Sequence, residues 1–123
     1  MRETENINIR KAVVLWLITG IYMGLIFYLS SRTWETPELP TDFDKVIHAV
    51  IYIPLAFLFY LSLKKSGLKR NVFITAVFLT VLYGISDELH QSYVPGRESS
   101  IADAFADFAG AMLGSLAATF LKT

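Results

Sequence analysis

The sequence predicts an all-α integral membrane protein, a bundle of four transmembrane helices with both ends in the cytoplasm. Three observations carry that expectation. Four long apolar runs separated by polar breaks divide the 123 residues. Hydrophobic residues make up 54% and charged residues 18%, with a mean hydropathy of +0.47, above the roughly 45–50% apolar content of ordinary globular chains. Lys and Arg also gather on one set of loops. A soluble domain of this size hides only about two-thirds of the surface its chain exposes, so much of this apolar content would stay in water. A bilayer removes that difficulty. Only helices and closed barrels satisfy their backbone in lipid, and the period-two alternation of barrel strands is absent.

The first run extends from Ala12 to about Ser30 without a charge. Arg2, Arg10 and Lys11 precede it, as in a signal peptide, but it is long for one and lacks a small-residue cleavage site. It is expected to remain as the first helix. The second runs from about Val46 to Leu63, with His48 near its start and Pro54 inside; that proline is expected to bend the helix and free backbone carbonyls. The third is apolar from Val72 to Ser86 and continues into Asp87–Gln91. The fourth covers Ile101 to Leu121 and contains Asp103 and Asp107. Each approaches the roughly 20 residues that cross the hydrocarbon core. One domain, residues 1–123, is expected, with no repeat and no linker.

Orientation follows from the basic residues. Lys64, Lys65, Lys69 and Arg70 lie between the second and third runs, Arg10 and Lys11 precede the first, and Lys122 follows the last. The other loops hold only Arg32, Lys45 and Arg97. The basic hairpin and both termini are therefore expected in the cytoplasm, in the inner (plasma) membrane. With 11 basic against 11 acidic residues, the chain lacks the positive excess that a nucleic-acid partner would call for. It has no cysteine, which excludes disulfides, thiolate zinc sites and thiol nucleophiles.

The polar residues within the runs are biased to one side. Asp44, Lys45 and His48 open the second run; Asp87, Glu88, His90 and Gln91 close the third; Asp103 and Asp107 open the fourth; Arg97 lies between. In an alternating topology all of these converge near the outer leaflet. Helical spacing puts His48 and Tyr52 on one face, and likewise Asp87 with Gln91 and Asp103 with Asp107. Gly110 and Gly114 form Gly-x-x-x-Gly, a close-packing pattern read here as internal packing rather than dimerisation. Ser100 is placed to cap the fourth helix; Ser99 and Ser100 are nucleophile candidates by position only.

Asp44-Lys45-x-x-His48-x-x-x-Tyr52, then Asp87-Glu88-x-x-Gln91-x-x-x-Pro95-x-Arg97, then Ser100-x-x-Asp103-x-x-x-Asp107-x-x-Gly110-x-x-x-Gly114 resembles the VanZ-like family. That family is named for a protein linked to resistance to the glycopeptide teicoplanin, and its members are small bacterial membrane proteins. The resemblance covers residues 44–114. It departs at Asp107, where the family commonly has Asn. It implies membership and a set of polar positions (Asp44, His48, Tyr52, Glu88, Gln91, Arg97 and Asp103) without specifying a reaction.

Several uses of the cluster are open at this point. An anionic lipid or lipid-linked cell-envelope precursor would find phosphate holders in Arg97 and Lys45, with Glu88, His48 and Asp103 as acid–base candidates. Asp44, Tyr52, Gln91 and Asp107 would line the ligand. His48, His90, Asp87, Glu88, Asp103 and Asp107 also include metal-ligand types, though without a recognised metal spacing. A proton relay or transporter would need charges continuing to the other side, or a homo-oligomer. The plain alternative is a polar network that registers helices. Enzyme and binding protein both remain open, and no cofactor is specified.

Overall fold

The computed structural model describes residues 9–30, 41–93 and 101–121, with the side chains of residues 30, 41–45, 91 and 101–103 outside the description. It is all-helical: α1 spans Ile9–Ser30, α2 Thr41–Lys65, α3 Val72–Gln91 and α4 Ile101–Thr119. At about 1.5 Å rise per residue, the 22 residues of α1 and 20 of α3 match a hydrocarbon core of about 30 Å. Among the described residues, three helices are long and apolar enough to cross a membrane, over Ile9–Leu29, Val46–Lys65 and Val72–His90. The apolar part described in α4, Ala104–Thr119, is shorter.

The helices alternate in direction, so α2 and α4 run parallel, with α2 at the centre touching the other three. The α2–α4 contact is the most extensive, and its cause is Gly110 and Gly114. A Cβ at Gly110 would strike the Ala49 carbonyl oxygen, and one at Gly114 the Ile53 carbonyl oxygen. The Gly-x-x-x-Gly pattern is thus occupied within the chain, as the sequence suggested. α2 continues as one helix through Pro54.

The α2–α3 connection is a tight hairpin. Leu68 N–H donates to the Leu63 carbonyl and Gly67 N–H to the Lys64 carbonyl, with Gly67 at φ 107°. This is the Schellman arrangement, which needs a left-handed residue after the helix. At the same end, Trp16 Nε1 donates to Ser66 Oγ at 2.7 Å. One turn further along α1, Thr19 donates to the Leu15 carbonyl at 2.7 Å. Its hydroxyl proton is then committed, so Ser62 is the donor across the 3.1 Å Thr19–Ser62 contact. Ile26, Leu55, Phe59, Tyr60, Val72 and Ala76 form the apolar centre. Outward faces carry Val13, Leu17, Ile21, Ile74, Phe78, Phe105 and Leu113, all exposed, as suits lipid contact.

Candidate functional site

Four of the polar side chains expected to converge, His48, Tyr52, Asp87 and Asp107, do so. α2 contributes His48 and Tyr52, whose rings stack with centroids 6.5 Å apart and planes at 14°. That follows from their four-residue spacing on one helical face. α4 contributes Asp107, whose Oδ1 lies 3.1 Å from His48 Nδ1. α3 contributes Asp87, whose Oδ2 accepts from the Tyr52 hydroxyl at 3.1 Å. The central helix therefore sends one side chain to each of two carboxylates on the flanking helices. All four residues are buried, Tyr52 and Asp107 at 1% exposure.

The space for this arrangement comes from Gly84, three residues before Asp87 on α3. A Cβ there would stand 2.8 Å from Asp107 Oδ2 and 3.1 Å from its Cβ. Only a residue without a side chain lets the Asp107 carboxylate lie against α3. Tyrosine hydroxyls brace the surrounding layer. Tyr83 donates to the Met23 carbonyl and Tyr22 to the Ile51 carbonyl, each at 2.6 Å, and the Tyr83 ring lies 6.4 Å from that of Tyr52. His90 sits apart from the His48 pair, stacked on Phe27 of α1 at 4.2 Å.

Of the residues singled out from sequence, His48, Tyr52 and Asp107 come together, and Glu88 is half-buried one residue beyond Asp87. Arg97 and the side chains of Asp44, Lys45, Gln91 and Asp103 lie outside the described residues. Asp87 belongs to the expected cluster and to its metal-ligand types but not to the residues expected to hold the lipid headgroup or act as acid or base, yet it is the α3 carboxylate that is buried and bonded to Tyr52. Gly84 was missed altogether. Its only sequence signal is a small residue one turn before an acidic pair on the same apolar run. Among the described residues, no three His, Cys, Asp or Glu side chains form a set able to hold a metal ion.

Chemically, the arrangement holds an imidazole against one carboxylate and a phenol against another within apolar helices. A carboxylate only accepts, so His48 donates Nδ1–H to Asp107. These features define a small helical membrane protein with a buried acid–imidazole–phenol cluster between α2, α3 and α4. The chain belongs to the family described as VanZ/LLP1, whose model matches residues 14–122, nearly its whole length. No curated protein and no solved structure matches it.

Proposed function

We propose that this protein lies in the inner (plasma) membrane and that its polar end receives the head of an anionic lipid or lipid-linked cell-envelope precursor. The observation that carries the reading is the burial of His48, Tyr52, Asp87 and Asp107 together inside apolar helices. Even mild scales assign about 2.5–3.5 kcal/mol to an aspartate at the centre of a spanning helix. Ionisable groups kept inside a membrane are a functional-site hypothesis by default, and half-buried Glu88 adds to the group. Lys45 and Arg97 flank it in the sequence and have the chemistry to hold a phosphate, Arg97 in bidentate fashion. Glu88, His48 and Asp103 are the acid–base candidates if the ligand is modified rather than only held. The basic residues of the opposite end support a cytoplasmic location for the α2–α3 hairpin and both termini, which puts the polar end at the outer leaflet.

The test is native mass spectrometry of the detergent-released protein, wild type beside Glu88→Ala and Arg97→Ala. A defined lipid adduct on the wild type, absent from Arg97→Ala, is the expected result. Identical spectra for all three, with detergent alone bound, would sink the reading. A second reading, that the cluster only registers helices, is favoured by one observation: the His48–Asp107 and Tyr52–Asp87 bonds each join different helices. It predicts variants that melt earlier but bind the same lipids.

A further inference from the structure

We propose that the α2–α3 hairpin is a binding surface for the anionic phospholipids of the leaflet it meets, with Lys64, Lys65, Lys69 and Arg70 holding their headgroup phosphates. The inference is independent of the reading of the polar end. Its starting point is missing countercharge. No Asp or Glu stands between Asp44 and Asp87, between Glu5 and Glu35, or after Asp107. The chain that reaches this end of the bundle therefore brings cations, with Glu3 and Glu5 the acidic residues nearest to Arg10 in sequence. Among the described residues, none of the four hairpin cations takes part in an ion pair. Arg10, exposed in the first turn of α1, adds to the same end.

The depth of these charges selects the class of partner. The apolar span of α2 runs to Lys65 and that of α3 starts at Val72, and the Schellman turn closes the short stretch between them. No loop projects from the bundle here, so the cations lie where hydrocarbon gives way to headgroups. Lys64 and Lys65 are partly buried; a lysine in that setting lays its stem on apolar surface while its ammonium reaches the polar layer. Lys69 and Arg70 are exposed. Trp16 marks the same level. Its ring meets Phe59 edge-on with centroids 6.1 Å apart, its Nε1 donates to Ser66 Oγ at 2.7 Å, and it remains 37% exposed. An indole with an apolar body and a hydrogen-bonded edge is the kind of side chain that gathers at membrane interfaces.

The chemistry of the headgroup fits. Arg70 can take a phosphate in bidentate fashion, and the lysines act as point charges. A soluble acidic partner would have to reach between the headgroups to meet Lys64 and Lys65, whereas a phosphodiester of the bilayer already lies beside them.

The experiment uses Trp16 as the reporter. With Trp34→Phe in the full chain, Trp16 is the one tryptophan left. The protein is reconstituted in vesicles of phosphatidylcholine and phosphatidylglycerol in which one of the two lipids carries brominated acyl chains, which quench a nearby indole. Both leaflets have the same composition, so orientation does not enter. Brominated phosphatidylglycerol is expected to quench Trp16 beyond its share of the lipid, and brominated phosphatidylcholine below its share. Salt near 1 M, where the Debye length is about 3 Å, is expected to remove the excess. Lys69→Gln with Arg70→Gln is expected to lower the relative affinity severalfold, each charge at a membrane surface being worth up to about fivefold. Arg32→Gln, beyond the far end of α1, keeps it. Quenching that follows the bulk share of each lipid would overturn the proposal and leave these cations to a soluble partner or to topology alone. An excess that survives both salt and the double substitution would overturn it as well, since these charges would not be its source. The salt titration needs only the unaltered hairpin, so it decides the matter even if the double variant does not insert.

Discussion

Gly84 matters because of what stands opposite it. A methyl group added there would meet Asp107 Oδ2 at 2.8 Å and the Asp107 Cβ at 3.1 Å, so α3 or the carboxylate must move. Overpacking of this kind costs about 1–3 kcal/mol. Gly84→Ala is therefore expected to lower the melting temperature in detergent and to weaken the His48–Asp107 bond. Asp107→Ala on the Gly84→Ala background should recover part of the packing loss, and the two effects should not add. Tyr52→Phe is the complementary change. It keeps the ring stacked on His48 but takes away the donor to a buried carboxylate, at an expected cost of about 1–3 kcal/mol; a melting temperature equal to wild type would show that the Asp87 bond contributes nothing. These residues also mark how far the sequence could be read. The His48–Tyr52 face was legible, since four-residue spacing within one helix decides it. Asp87 and Glu88 could not be separated, because adjacent residues point about 100° apart on a helix and the rotation of α3 against α2 chooses between them. The same rotation hides Gly84, whose role exists only once Asp107 of another helix is in place.

Two Gly-x-x-x-Gly patterns illustrate the same lesson at the scale of helices. Gly20 and Gly24 in α1 and Gly110 and Gly114 in α4 are alike as sequence. In the fold they are opposites. The α4 pair meets backbone carbonyls of α2, which cannot yield as a side-chain tip can, while nothing stands within 4 Å of a Cβ at Gly20 or Gly24. Gly110→Leu or Gly114→Leu is expected to separate α2 from α4 and with them His48 from Asp107, so that folded protein is lost on extraction. Gly20→Leu and Gly24→Leu are expected to change stability by about 0.5 kcal/mol or less, as for surface positions without special features. Size-exclusion profiles of the four variants in detergent would check both halves. Helix existence itself was legible, because uninterrupted apolar runs leave the backbone no other way to satisfy itself in lipid. The pairing of α2 with α4 was only half legible. The glycines announce a close approach, but nothing in one sequence names the partner surface, here Ala49, Ile53 and Ala56.

At the scale of the whole molecule, the alternation of four helices separates two chemistries. One end gathers the acid–imidazole–phenol cluster; the other carries Arg10, Lys11, Lys64, Lys65, Lys69 and Arg70. The orientation proposed above keeps the basic hairpin from being translocated, in line with the positive-inside bias. The proposed headgroup site needs that orientation, because an envelope precursor is met at the outer leaflet. The absence of cysteine makes the test direct: a single introduced thiol has no native background. Tyr93, exposed just beyond α3, and Lys69, exposed in the hairpin, report the two ends. With a membrane-impermeant maleimide, Tyr93→Cys is expected to label in intact cells and Lys69→Cys only after the membrane is opened. The reverse pattern would turn the bundle over and move the cluster to the cytoplasmic leaflet. Its ligand would then have to be a lipid or precursor presented from inside.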